Sequence, residues 1–255
     1  MLVDIPHQQL NAVLEDTAAE ILGTAGVVEP PVDALQVANA LGLLVAWDAQ
    51  QPGRARCVEL AGDGGHTQRA AVLLRPELRS ERKHWAVAHE IGELWASEVF
   101  CRLGIDPVDA PGDAREQVAN RMAARILLPR DWFSADARQV DWELSDLKER
   151  YATASHELIA RRMLDFPPRV IITIFDQGRQ TMRRSNVRGR VPPVSALERA
   201  CWNAANAQGQ TQQRCGPLSD VRAWPIHEPH WKREILRTTA ESIVAHAEHE
   251  TADEG

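Results

Sequence analysis

Residues 80–93 read Ser-Glu-Arg-Lys-His-Trp-Ala-Val-Ala-His-Glu-Ile-Gly-Glu, and this stretch decides the fold. Apolar residues recur there at helical spacing, which predicts one long helix from Ser80 to about Val99. Its apolar stripe comprises Trp85, Ala88, Ile91 and Trp95. Residues four apart on an α-helix differ by about 40° in azimuth, so His89 and Glu93 share one face. The middle of the predicted helix therefore presents a histidine and a carboxylate side by side.

The string His-Glu-Ile-Gly-Glu at 89–93 differs by one letter from H-E-x-x-H, in which two histidines on one helix face hold a zinc ion. Glu90 lies roughly a quarter turn from His89, where it could reach a water at the metal without ligating. His84 cannot serve the same site, because five residues place it about 140° round the helix from His89. The string alone occurs by chance on helices, and its last glutamate could equally be a solvated surface carboxylate.

A third protein ligand must come from another element, and the best candidate is Glu116. It lies on a helix predicted from Asp113 to just before Pro129. Asp113 and Glu116 also have the spacing of a capping box, which would explain this glutamate without a metal. Gly92 would allow another backbone or a substrate to approach the first helix closely.

Composition restricts the class of protein. The chain has 255 residues, 44% hydrophobic and 25% charged, as expected for a soluble globular protein with one domain and an appendage or two small domains. A net charge of −7 argues against nonspecific nucleic-acid binding. No apolar run approaches a membrane span, and the first ten residues lack the basic segment of a signal peptide. Four well-separated cysteines suit reduced thiols, so we expect a cytoplasmic protein.

Periodicity predicts the remaining elements. Ahead of residue 80 we expect a helix at 7–22, a helix from Pro31 to about 41, and strands at 43–47, 56–60 and 70–74, with a turn at 62–65. Further on, two short helices at 142–151 and 155–164 have a helix-turn-helix layout, and a hairpin follows at 169–184. Residues 186–228 carry little pattern. An amphipathic helix is predicted at about 229–247, before an acidic, frayed tip at 248–254.

Residues 80–92, followed by Glu-Gln-Val-Ala-Asn-Arg-Met-Ala-Ala-Arg-Ile-Leu-Leu-Pro at 116–129, resemble the ImmA/IrrE family of zinc endopeptidases. That family typically shows Ala-His-Glu-Leu-Gly-His and then Glu-x-x-Ala-Asn-x-Phe-Ala-Ala-x-Leu-Leu-Met-Pro, and the resemblance covers about residues 10–165. It implies an α+β fold whose zincin-like peptidase domain, at 1–140, has a small sheet packed on the active-site helix pair. A helix-turn-helix-like module with a hairpin would follow at 141–185, and a C-terminal extension of unknown role at 186–255.

The resemblance also implies roles for individual residues. His89 would be the first metal ligand, Glu90 the general base, and Glu116 the glutamate ligand on the second helix. The family's second histidine falls on Glu93, where this sequence departs from the pattern. Members of the family cut helix-turn-helix repressors and so release phage, mobile-element or stress genes. We therefore expect a metal-dependent endopeptidase-like protein that cleaves or binds a repressor-type regulatory protein.

Glu93 changes the expected chemistry of the metal. Two histidines and one carboxylate leave a divalent ion with one formal positive charge, whereas one histidine and two carboxylates leave it neutral. A neutral centre activates water less, and an oxygen-rich shell tolerates Mn²⁺ or similar ions better than the Zn²⁺ that we expect first. A slower hydrolase, a hydrolase that uses another metal and a metal-free relic all remain open. We favour a bound metal with weak or conditional activity.

The alternative function is a catalytically silent pseudo-peptidase that regulates by binding a protein or DNA through residues 141–190. Ten Lys and Arg stand against four Asp and Glu between Lys148 and Arg190, which gives this segment a local positive charge. A second, weaker metal-binding set is also conceivable, since cysteines and histidines recur near the C-terminus (Cys201, Cys215, His227 and His230). We expect nucleic-acid binding to be absent because the whole chain is acidic.

Overall fold

The computed structural model describes residues 5–60, 69–77, 79–187, 189–217 and 219–240. Its contacts group the chain into two compact units, Met1–Asp141 with Asp146–Ser155, and Trp142–Ser145 with His156–Gly255. The boundary predicted near residue 140 lies close to this division, whereas residues 186–255 are not separated from 156–185. Within the described ranges, no helix is long and apolar enough to cross a membrane.

The first unit combines a small sheet with helices. In chain order its elements are α1 (His7–Thr24), α2 (Ala34–Ala40), β1 (Leu44–Trp47), β2 (Ala55–Leu60), β3 (Arg69–Leu74), α3 (Ser80–Leu94), α4 (Ala96–Arg102), α5 (Gly112–Leu127) and α6 (Arg130–Gln139). Helix α7 (Leu144–Arg150) follows at the division between the units. The sheet order is β1-β3-β2, with β1 parallel and β2 antiparallel to β3. Sheet and helix α3 pack together and α3 packs on α5, which confirms the predicted architecture.

Helix α2 begins later than predicted. The sequence suggested a start at Pro31, but Asp33 is the N-cap, and its Oδ1 accepts hydrogen bonds from the backbone N–H groups of Leu35 and Gln36 at 2.9 and 3.1 Å. A capping carboxylate satisfies amides that have no partner within the helix, so it fixes the start of the helix. The three strands of this unit are confirmed. The turn predicted at 62–65 lies outside the described residues.

The single helix predicted from Ser80 to Val99 is wrong, because α3 ends at Leu94 and α4 begins at Ala96. Trp95 lies between them with φ −86° and ψ −2°, and no glycine or proline marks this break. Apolar side chains are fully buried on both sides of it, among them Ile91 and Phe100. Tertiary packing of two apolar faces therefore overrides the continuous helical pattern.

The second unit is an antiparallel sheet with a helix packed on it. Its elements are α8 (His156–Arg162), a 3-10 helix (Met163–Asp165), β4 (Val170–Asp176), β5 (Arg179–Ser185), α9 (Ala196–Gln208), β6 (Gln212–Cys215), β7 (Ser219–Glu228) and β8 (Trp231–Ala240). The strand order is β5-β4-β8-β7-β6. The predicted hairpin is confirmed as β4 and β5. Cys201 and Ala205 of α9 lie in one buried cluster with Phe175, Val221, Ala223 and Leu236 of the sheet.

The amphipathic helix predicted at 229–247 is wrong over its described part. Residues 231–240 form β8, which pairs with both β4 and β7. His230 turns the β7–β8 hairpin with a positive φ of 66°. The helical spacing of Trp231 and Ile235 coincided with a strand whose position is set by two neighbouring strands. The rest of that prediction, together with the acidic tip at 248–254, lies outside the described residues.

Candidate metal centre

The metal-ligand candidates converge near the C-terminal half of α3. One ligand atom each from His89, Glu90 and Glu93 lies within 4.8 Å of the others. Glu90 is buried, the His89 side chain is 16% exposed, and Glu93 faces solvent. The helical geometry predicted from the sequence therefore places these three groups together.

Glu116 approaches His89 from the neighbouring helix. Its Oε2 lies 3.5 Å from Nε2 of His89, and its Oε1 accepts a hydrogen bond from Nδ2 of Asn120 at 2.9 Å. Helix α5 begins at Gly112 with Pro111 as its N-cap, and no side chain caps it. The capping-box explanation of Glu116 is therefore wrong. This leaves its carboxylate facing the histidine.

Close packing of α3 on α5 brings Glu116 to His89. A Cβ at Gly92 would lie 2.8 Å from the carbonyl oxygen of Ala119 and 2.8 Å from Cβ of Met122. Any side chain there would push the two helices apart, so the glycine permits the contact. The expectation that Gly92 admits a neighbouring backbone is confirmed.

Glu90 is held by a backbone donor that sequence reasoning missed. The N–H of Cys57 in β2 donates to Oε2 of Glu90 at 2.7 Å. Burial raises the pKa of Glu90, the Cys57 N–H and nearby His89 act in the opposite direction, and Glu93 and Glu116 raise it further, for a net increase. A carboxyl with a raised pKa exchanges protons more readily near neutral pH. No sequence pattern could reveal this contact, because its donor is a main-chain atom.

The chemistry of the donors suits a divalent cation. Within the described residues, no lysine or arginine forms an ion pair with Glu90, Glu93 or Glu116. Three carboxylates around one imidazole thus lack a cationic partner of their own. Imidazole nitrogen and carboxylate oxygen are ligands for Zn²⁺ and Mn²⁺. The residues present fit such an ion, which His89 and Glu93 could hold together with Glu116, 3.5 Å from His89.

Other histidines and cysteines lie elsewhere. His84 accepts a hydrogen bond at Nδ1 from the N–H of Ala34 at 3.2 Å, which agrees with its exclusion from the cluster. His227 contacts Glu234 at 2.7 Å, and Cys201 is buried. In the part of the chain that the structure describes, His89, Glu90 and Glu93 are the one group of three or more such side chains close enough together to hold a metal ion. The structure does not bring together the weaker set of candidates near the C-terminus, Cys201, Cys215, His227 and His230.

Comparisons with known proteins bear on the family and the fold. Residues 58–164 match the model of the IrrE N-terminal-like domain, a peptidase family. Among solved structures, a Mycobacterium tuberculosis transcriptional regulator superposes with a TM-score of 0.62 at 16% identity, covering 89% of this chain and 75% of that one. That similarity shows a shared fold only. No curated protein matches. Residues 58–164 are therefore similar to the IrrE N-terminal-like domain, which confirms the ImmA/IrrE resemblance over this part of the chain, and the mixed helices and sheets confirm the α+β fold.

Proposed function

We propose that this protein is a metal-dependent endopeptidase that acts on a regulatory protein. The proposal rests on three ligand candidates, His89, Glu93 and Glu116: the first two cluster with the buried Glu90, and Oε2 of Glu116 lies 3.5 Å from Nε2 of His89. A divalent ion held by the first three residues would supply Lewis-acid polarisation of the scissile carbonyl. Zn²⁺ is the first candidate, and the second carboxylate also admits Mn²⁺.

Glu90 is the general base of this proposal. Its Oε2 is fixed by the Cys57 N–H, whereas no described residue bonds its Oε1. A carboxylate in this position takes a proton from the attacking water and later gives it to the departing amine. The raised pKa of Glu90 suits both steps, because it lowers the cost of holding the proton.

The proposed substrate is a protein. ImmA/IrrE-like peptidases act on helix-turn-helix repressors, and the structural neighbour is described as a transcriptional regulator. Both support a role in transcriptional control, for instance in a stress, phage or mobile-element response. The four cysteines are free thiols, which supports a reducing cytoplasmic location.

Metal analysis tests the proposal. Protein purified without chelators should contain stoichiometric divalent metal, or take it up on addition, and lose it to a chelator. Glu90→Gln should retain the metal and lose peptide hydrolysis, since Glu90 acts as a base rather than a ligand. Protein that neither contains nor takes up metal would refute the peptidase assignment.

Glu93 itself favours a second candidate function, a catalytically silent regulator. A formally neutral centre activates water less than the family's usual one. If this candidate is correct, Glu90→Gln should leave regulation in cells unchanged, whereas it should abolish regulation by a peptidase.

A DNA-binding form of this regulator has less support. Arg162 and Arg183 are buried in ion pairs with Asp165 and Glu198, so they are not free to contact phosphates. We expect no duplex binding at physiological salt. Tight, salt-sensitive binding that is lost when Arg161 and Arg184 become alanine would establish the DNA-binding form.

A further inference from the structure

A cavity of about 240 Å³ lies beside the first turns of α3 and the start of β2. One water molecule requires about 10–15 Å³, so a cavity of this volume can accommodate a side chain. Its charged lining consists of four cations and one carboxylate, namely Arg54, Arg75, Arg82, Lys83 and Glu77.

The cavity keeps an excess of positive charge. Glu77 is already engaged, because its Oε2 lies 3.4 Å from a guanidinium nitrogen of Arg82 and its Oε1 accepts from the Arg79 N–H at 3.2 Å. Within the described ranges, the side chains of Arg54, Arg75 and Lys83 form no hydrogen bond or ion pair. The whole chain carries a net charge of −7, so this concentration of cations is a local property.

The cavity and the candidate metal centre lie along the same two elements, α3 and β2. Ala86 lines the cavity and lies one helical turn before Glu90 on α3. Arg54 directly precedes β2, whose Cys57 donates to Glu90. The three residues from Arg54 to Cys57 span about 10 Å of extended chain. A peptide that lies along β2 and α3 would therefore reach both places.

We propose that this cavity binds an acidic side chain of the substrate, about three residues from the bond that is cut. The inference rests on the proposed peptidase function and adds a substrate preference: the enzyme would select an acidic segment of the regulatory protein. Arginine guanidinium groups pair with carboxylates through two parallel hydrogen bonds, which gives geometric selectivity as well as attraction. Arg54 and Arg75 are the residues assigned to this recognition.

Peptide binding tests the assignment without a known substrate. Short fluorescein-labelled peptides of alanine and serine, differing only in a central Glu-Glu or Gln-Gln pair, are titrated with the full-length protein and followed by fluorescence anisotropy. We expect the Glu-Glu peptide to bind about fivefold more tightly, which corresponds to one favourable exposed ion pair. Added salt should reduce this preference.

Variants localise the effect. The double variant Arg54→Gln, Arg75→Gln should remove the preference, and Arg75→Glu should shift it toward a Lys-Lys peptide. Arg130→Gln removes an exposed cation outside the cavity and is the matched control. Equal binding of the two peptides by the native protein, or an unchanged preference in the double variant, would overturn the proposal.

Metal content and hydrolysis of the same preparations separate the two proposals. Hydrolysis that is indifferent to peptide charge would refute the acidic subsite and leave the peptidase assignment standing. A charge preference that depends on Arg54 and Arg75, in protein without metal or hydrolysis, would refute the peptidase and retain the cavity as an acidic-peptide site.

Discussion

Glu93 is the residue that most affects the chemistry expected of the candidate metal centre. It occupies the position of a ligand on the same helix face as His89, within reach of the same ion. As a ligand it would set the formal charge of the metal centre and so the metal preference. The sequence alone predicted this grouping, because the positions of groups on one helix follow from helical geometry.

Substitution of Glu93 tests whether it is a ligand. Glu93→Ala should lower metal affinity by at least roughly tenfold. Loss of a residue that only hydrogen-bonds to a ligand already costs about that much, and loss of a ligand should cost more. Glu93→His should raise zinc affinity and hydrolysis by restoring positive charge to the centre. Competition with a chromophoric chelator measures both, with Asp113→Ala as a control in an exposed carboxylate of α5. If neither substitution changes the metal affinity, Glu93 is a surface carboxylate and not a ligand.

We expect His84 to make the free energy of unfolding depend on pH. Burial lowers its pKa below the ordinary 6.5, and Lys83 adds to this, whereas Asp33 and Glu81 oppose it. The unfolded chain therefore takes up the proton first as the pH falls, so the free energy of unfolding should decrease below about pH 6.5 and level off above it. Denaturant unfolding across this range measures the effect. His84→Asn, which keeps an acceptor for Ala34, should flatten the profile, whereas exposed His7→Asn should not.

At the scale of elements, the crossing of α3 and α5 builds the centre. Both helices were predicted from their periodicity and Glu116 was chosen as the ligand, but the closeness of the crossing depends on tertiary packing around Gly92. The break at Trp95 was not predictable for a similar reason. For α3 and α5 the local pattern predicted the type of element correctly, whereas the end of α3 depends on which apolar face packs against a neighbouring element.

Gly92→Ala tests this crossing. The new Cβ would lie 2.8 Å from the carbonyl oxygen of Ala119 and from Cβ of Met122, which should destabilise the protein by about 1–3 kcal/mol and weaken metal binding by moving Glu116 from His89. Thermal unfolding and metal titration report the two effects. Gly23→Ala, in α1 with no atom near its Cβ, should instead be neutral or stabilising. Equal behaviour of the two variants would contradict the packing argument.

At the scale of the whole molecule, the chain has two compact units, and the entire metal centre lies in the first. The second was predicted poorly, since its sheet joins residues far apart in sequence, such as Ile174 with Ile235. Helix α8, predicted at 155–164, and the β4–β5 hairpin are the elements that could be predicted, because both depend on residues close in sequence. The capping box of Ser195 and Glu198 at the start of α9 was a detectable signal that we missed.

Glu198 tests the independence of the centre from the second unit. Burial would raise its pKa, but hydrogen bonds from Arg183, the Ser195 N–H and Thr238 outweigh burial and lower it. Glu198→Ala would leave the buried Arg183 unpaired, so we expect a loss of about 3–5 kcal/mol in the free energy of unfolding. Metal affinity of the folded protein should not change. Exposed Asn203→Ala on α9 is the control, and a parallel fall in metal affinity would disprove independence.

The hydrogen bond from Cys57 to Glu90 has an evolutionary consequence. Because the donor is a peptide N–H, every amino acid except proline supplies it, and selection on the base leaves almost no trace at this position. The bond itself therefore places no requirement on the type of side chain at position 57. A comparison of sequences would pass over this residue, although it orients the group proposed to move the proton.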